Sequence, residues 1–318
     1  MFEFNESLHF EKKKYDLLTA GELLVDLIAE NYDGNDQESA YRKYFGGAPA
    51  NIAMNTRKLG IQSQIAAAVG RDHLGDSLIQ RLMNEGIEPE LVERVDAATS
   101  MVLLTKSKAS PIPIFYRSAD YQLVMTQGLK NTLLQSKIFH FSSWPISMQP
   151  ARETIEQALD MAAKHNILVG FDPNYHPMLW TKGEDGRAYI KSIIGKVDIV
   201  KPSDDDAERL FGADSPLNQI DKFLSLGAKL VIMTLGKDGA IVSNGRERLV
   251  LPTMATEVED TTGAGDAFWS GFYSALVQGY PLKESLNLGF AVSAFKLKHT
   301  GAVVDLPILD NIKKIYGI

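Results

Sequence analysis

Short runs of β-branched and apolar residues recur along the chain, and stretches with helical amphipathicity lie between them. The runs are Tyr15–Ala20, Ser63–Val69, Ile138–Ser142, Ile167–Asp172, Asp198–Lys201 and Leu230–Thr234. The helical stretches include Ala50–Leu59, Ser77–Glu85, Arg152–Lys164, Asp204–Phe211, Leu217–Ser225, Gly263–Gln278 and Lys283–His299. Strand and helix in alternation predict βαβ units, hence an α/β fold with a mostly parallel sheet flanked by helices. The helix after Gly265 is apolar nearly all round (Ala267, Phe268, Trp269, Phe272, Leu276, Val277), so it is predicted to be buried. Two segments break the rhythm: Leu24 to Phe45 and Ser100 to Val124 read as extended strands and turns. Within the second, Met101–Lys106 and Ile112–Tyr116 flank a turn at Ser107–Pro111, a hairpin pattern.

Asp260-Thr261-Thr262-Gly263-Ala264-Gly265-Asp266-Ala267-Phe268-Trp269-Ser270-Gly271 sets a glycine-rich turn in front of that apolar helix and a carboxylate in its first turn. Free backbone N–H groups and the positive end of the helix dipole favour an anion such as phosphate above the turn. Asp266 is then placed to take a proton from a hydroxyl beside that anion, the arrangement phosphoryl transfer from ATP to an alcohol requires. An isolated Asp at this position also reads simply as an acid stabilising a helix start. The chain lacks a G-x-x-x-x-G-K-[ST] loop and a G-x-G-x-x-G turn, so a nucleotide must be held by other means.

The same Asp260–Gly271 stretch resembles the C-terminal signature of the PfkB (ribokinase-like) carbohydrate kinases. Gly46-Gly47-Ala48-Pro49-Ala50-Asn51-Ile52-Ala53, followed by Gly60 and Gly70, resembles their N-terminal signature. The resemblance runs from Tyr15 to the C-terminus. Residues 15–318 are therefore expected to form one ribokinase-like kinase domain; residues 1–14, mixing Glu and Lys without an apolar h-region, read as a polar extension and not a secretory signal. The resemblance implies a Rossmann-like α/β core, a small β-sheet lid from segments 24–45 and 100–124, and ATP-dependent phosphorylation of a sugar hydroxyl. Mg²⁺ would bridge phosphate oxygens. Asp266, with an ordinary carboxyl pKa of about 3.9, would be ionised and act as the base. The amides of Gly263, Ala264 and Gly265 would stabilise the moving phosphoryl group. Asp26, just past the first strand, would bind the sugar together with Gly46, Gly47 and Asn51.

Further segments refine that expectation. Phe115-Tyr116-Arg117-Ser118-Ala119-Asp120 resembles the lid motif of fructokinases, with Tyr116 or Arg117 reaching over the substrate; a surface hairpin with one inward aromatic fits equally. Phe171 to Trp180 resembles the D-x-N-x-R plus L-W segment of fructokinases and 2-keto-3-deoxygluconate kinases, with Asn174 toward the nucleotide phosphates. His176 stands where Arg is usual, and a largely neutral His pairs poorly with a carboxylate, which favours a neutral sugar. Lys201 to Glu208 aligns with the family's N-x-x-E segment, Ser203 replacing Asn and Asp206 replacing Glu. Asp206 would orient a metal-bound water, or Ser203 is simply an N-cap before an acidic first turn. Thr234, Gly236 and Gly239 match the ATP-contacting turn, while Asp260 and Thr262, with Gly301-Ala302, resemble loops that hold a monovalent cation such as K⁺.

A formal net charge of −7 argues against a nucleic-acid partner. The absence of cysteine excludes disulfides and thiolate metal sites and suits a reducing cytoplasm. No apolar run reaches the roughly 18 residues of a membrane span. The expected partner is a small-molecule sugar, with exposed lid edges inviting a homodimer. Fructokinase, making fructose 6-phosphate, is the first reading. A 2-keto-3-deoxygluconate kinase is the alternative, and a non-catalytic sugar or nucleotide sensor on the same fold is the reading from another class.

Overall fold

The computed structural model describes residues 2–32, 40–106 and 113–318; the turn expected at Ser107–Pro111 lies outside them, as does Ile112. In chain order the strands are β1 Tyr15–Ala20, β2 Leu24–Tyr32, β3 Tyr41–Gly46, β4 Ser63–Gly70, β5 Val92–Val95, β6 Met101–Lys106 and β7 Pro113–Tyr116. There follow β8 Ser136–Ser142, β9 Leu168–Asp172, β10 Ile199–Val200, β11 Leu230–Thr234, β12 Ala240–Ser243 and β13 Arg248–Leu251. Nine of them build one sheet in the order β13-β12-β11-β10-β9-β8-β1-β4-β5. Pairing is parallel from β5 through β11, and β12 and β13 close one edge as antiparallel partners. The α/β expectation with a mostly parallel sheet is what the chain adopts.

Such a sheet is covered on both faces, so its central strands can be apolar on both sides. Every residue of β4 is buried. One face packs Phe139, Phe141 and Phe171 against the helix Ala151–Lys164 through Ile155 and Leu159. The other carries Trp269, Phe272 and Tyr273 of the helix Ala264–Val277, in which every side chain from Ala267 to Leu276 is buried. The chain start joins this second layer. Phe2 and Phe4 sit in its apolar cluster, and the carbonyls of Phe4 and Glu6 accept from the N–H groups of Lys283 and Leu282. The polar residues around the two phenylalanines hide this anchoring role in the sequence. No helix among the described residues is long and apolar enough to cross a membrane.

The second sheet has four strands in the order β3-β2-β6-β7 and is built from the two segments that broke the βα rhythm. Its register puts Asp26, Tyr44, Val102 and Phe115 in one cross-strand row. Side chains alternate along a strand, so this row shares a face and Tyr116 belongs to the other.

Candidate active site

Parallel strands of an open sheet offer ligands their carboxyl ends. Here Asp172 closes β9, Lys201 follows β10, and the helix Ala264–Val277 starts beside them. Its N-cap, Gly263, has φ 73°, in the left-handed region, and a Cβ there would lie 2.6 Å from Ala302 Cα. Only glycine meets both demands. Of the three amides expected to cradle an anion, that of Ala264 donates to the Thr261 carbonyl at 3.2 Å. Lys201 Nζ lies 3.0 Å from Asp172 Oδ2, and a Cβ on Gly265 would stand 3.4 Å from the same nitrogen. A buried ammonium thus underlies the turn. Trp269 Nε1 donates to Asp172 Oδ2 at 2.9 Å and fixes that carboxylate.

The two signature segments meet at Asp266. Asn51, on the helix Ala48–Lys58, donates through Nδ2 to Asp266 Oδ2 at 2.8 Å. Its Oδ1 is buried and has no partner among the described residues. Burial pushes the Asp266 carboxyl up to about 7; the Asn51 hydrogen bond and Lys201 oppose the shift, and Asp172 and Asp26 add to it. The ordinary value near 3.9 expected from sequence does not hold, because the carboxyl sits in a cleft where its charge is poorly solvated.

Asp26 lies over the end of β3: a Cβ on Gly46 would fall 2.5 Å from its Oδ2, so the glycine makes the space for the carboxylate. Burial raises Asp26 to about 6. Gly47 caps the Asn51 helix with φ 109° and no capping side chain of its own. Glu22 supplies one from elsewhere, its Oε1 accepting from Ala48 N–H at 3.1 Å. Glu22 is buried and pushed up to about 8, mainly by that burial.

Several expected ligands have other roles here. Arg117 is not free to reach a substrate. Its Nε and Nη2 donate to Asp120 Oδ2 at 2.8 and 2.7 Å, Nη1 donates to Ser147 Oγ and the Leu179 carbonyl, and Nη2 also donates to the Trp144 carbonyl. Tyr116 is 54% exposed on the face away from Asp26; Phe115 occupies the Asp26 row, edge-on to Trp144 and His176 with centroids 5.2 Å apart. The alternation of β7 decides which aromatic faces inward. Ser203 and Asp206 form a reciprocal capping box. Asp206 Oδ1 also accepts from Tyr175 N–H at 2.8 Å, so both its oxygens are engaged and it does not suit a metal-bound water. Gly239 packs on the Leu251 carbonyl, a backbone role. Thr234 pairs with Ser203 across a parallel bridge at the end of β11, Gly236 opens the following turn onto free space, and Asn174 is exposed just past β9. These three lie at the carboxyl ends of parallel strands, on the same side of the sheet as Lys201.

A cavity of about 1010 Å³ joins Asp26 and Tyr44 to Asp260, Thr262 and Gly301. A carboxyl near 7 must lose its proton to act as a base. The log of kcat/KM is therefore expected to rise with pH up to about 7 and then level off, falling by about tenfold per unit below that limb. Removing the Asn51 donor, which favours the ionised form, should move the limb of Asn51→Ala to higher pH. Rates measured from pH 5 to 9 test both statements; a flat profile across pH 6 to 8 would contradict the assignment.

Residues 14–309 match the profile described as pfkB family carbohydrate kinase. The chain is 59% identical over 318 residues to an ATP-dependent 6-phosphofructokinase of Thermoanaerobacterium thermosaccharolyticum, covering 100% of this chain and 99% of that protein. It is 27% identical to a 5-dehydro-2-deoxygluconokinase of Geobacillus thermodenitrificans, across 96% of this chain and 94% of that one. Among solved structures, the fructokinase of Halothermothrix orenii superposes with a TM-score of 0.78 at 40% identity, covering 86% of this chain and 97% of that protein.

Proposed function

This chain belongs to the pfkB family of carbohydrate kinases and is an ATP-dependent sugar kinase; we propose that its acceptor is a fructose unit and that Asp266 is the base. The observation that carries the chemistry is the Asn51–Asp266 contact at the head of the glycine-rich turn. In this reading Asp26 and the free Oδ1 of Asn51 hold the sugar, and Asp266 takes the hydroxyl proton as the new oxygen–phosphorus bond forms and the bond to ADP breaks. Lys201 and the amides of Gly263 and Gly265 offset charge on the phosphoryl oxygens, while that of Ala264 is held by the Thr261 carbonyl. Mg²⁺ would arrive on the ATP phosphates and neutralise their charge. Asp206, whose two oxygens are taken by Ser203 and the Tyr175 N–H, does not suit its water shell.

For the acceptor we favour fructose 6-phosphate over free fructose. The relative at 59% identity is named for that activity. The cavity wall also carries three cations, Arg42, Lys43 and Arg81, suited to a phosphorylated sugar. Arg42 and Arg81 are paired with Glu30 and Glu85, whereas Lys43 donates to Ser77 Oγ. Free fructose, favoured by the sequence motifs, is the second reading and draws support from the Halothermothrix fructokinase. A sugar acid is less favoured: burial and Arg209 lower the His176 pKa, and its Nδ1 accepts from Met178 N–H.

ADP release should be followed with fructose 6-phosphate, fructose and 2-keto-3-deoxygluconate at equal concentrations. The highest kcat/KM is expected with fructose 6-phosphate. Lys43→Ala should raise its KM by about tenfold, the scale of one charge-assisted contact, and leave that of fructose unchanged. Preference for fructose by wild-type enzyme would overturn the first reading in favour of the second.

A further inference from the structure

The loops around Asp260 and Gly301 resemble a monovalent-cation site, but the residues present do not fit an added ion. We infer that Lys296 takes the cation's place, so that its ammonium is a built-in positive charge holding the loop before the glycine-rich turn and phosphoryl transfer is independent of K⁺.

Lys296 lies in the last turn of the helix Leu282–Leu297, and its side chain is 0% exposed. Its Nζ donates to the Asp260 carbonyl oxygen at 2.6 Å and stands 3.8 Å from Asp260 Oδ2. These are a carbonyl and a carboxylate oxygen of the loop expected to cage an ion. The carboxylate binds both walls of that cage, accepting from Thr262 N–H at 2.9 Å and from Gly301 N–H at 2.7 Å. A K⁺ ion drawing on the same oxygens would crowd the ammonium, and two like charges at such range repel strongly away from bulk water.

Burial of a lysine needs a reason, because its charge is costly to desolvate without a partner. The same helix buries Leu288, Ala291, Val292 and Ala294, so an apolar residue would be the ordinary choice at position 296. A lysine in the last turn also complements the helix dipole, but that alone would leave its tip in water. Instead the stem turns inward and ends on Asp260, three residues before the N-cap Gly263. The position of the anion-binding turn therefore depends on this charge.

The test uses the full-length protein in tetramethylammonium salts free of K⁺ and Na⁺. At constant ionic strength, added K⁺ should change wild-type turnover by less than about twofold and leave its melting temperature where tetramethylammonium leaves it. Lys296→Ala opens the cage: its K⁺-free turnover should fall by about tenfold or more, K⁺ should restore part of it, and K⁺ alone should raise its melting temperature. Lys296→Met keeps the stem's bulk without the charge, and should be slow with no rescue. Selective activation or stabilisation of the wild type by K⁺ would overturn the inference, as would K⁺-free Lys296→Ala turning over at the wild-type rate. If the variants fail to fold, the two wild-type measurements decide. The activity arm rests on the proposed reading of acceptor and base, while the melting arm does not. Absence of turnover with every acceptor would thus count against that reading and leave this one to the melting data.

Discussion

Asp266→Asn is expected to lower kcat by about 10²–10⁴, the range for loss of a general base, with ATP and acceptor affinities within a few-fold of wild type. The substitution is nearly isosteric and retains an oxygen to accept from Asn51 Nδ2, so the geometry of the Asn51–Asp266 contact survives. Only the ability to take a proton is lost. A second consequence follows from the raised carboxyl. Its pKa is about 7 in the folded chain against 3.8 when unperturbed. A folded-state pKa above the unfolded value stabilises the protein fully below the unfolded pKa, and that contribution is lost as pH rises through the folded one. Asn carries no proton to lose. The melting temperature of the variant relative to wild type should therefore climb between about pH 4 and pH 7 and stay higher above that. Single-turnover kinetics and a melting series across pH 4 to 8 measure the two effects. Near-normal turnover would remove Asp266 from the mechanism, and a pH-independent melting difference would mean that its carboxyl is not raised.

The residue types of this site were legible in the sequence, but their electrostatics were not. Asp266, Asn51, Asp26 and the glycines stand in motifs, and glycine at 46 and 263 reflects local contacts that a motif captures well. The shift of Asp266 comes from burial, with Asp172 and Asp26 adding to it and Lys201 opposing it, all distant in sequence, so no local pattern encodes it. Lys201 and Asp172 carry a weaker signal: each is a charged residue at the carboxyl end of an apolar strand. Glu22 caps a helix that starts 26 residues later, beyond the reach of any capping pattern. The fold is most legible where periodic runs are long. The helix starting at His73 begins four residues earlier than periodicity suggested, because Asp72 accepts from Gly75 N–H and fixes an extra turn. β5, β12 and β13, each of four residues, are too short to show a period of two, and their pairing partners are tertiary neighbours.

Arg117→Ala should cost about 3–5 kcal/mol of stability, because it strips a buried carboxylate of its cationic partner. The Asp120 side chain is 0% exposed, and Arg117 meets its Oδ2 through two nitrogens. Trp144 Nε1 also donates to that oxygen at 2.6 Å, and the Arg117 guanidinium lies 4.8 Å from the Trp144 ring centroid. The cluster therefore ties the end of β7 to Ser147 and Leu179, where the second sheet rejoins the core. Urea unfolding should show a lower midpoint with an unchanged slope. Arg117→Lys keeps a charge but not the fork, so it should recover only part of the loss. The double variant Arg117→Ala/Asp120→Ala should be more stable than Arg117→Ala alone, since removing both partners leaves no charge stranded. A substrate ligand would behave in the opposite way: Arg117→Ala would raise the acceptor KM and leave the urea midpoint unmoved. That outcome would return Arg117 to the role its motif first suggested and require its guanidinium to leave Asp120 when the sugar binds.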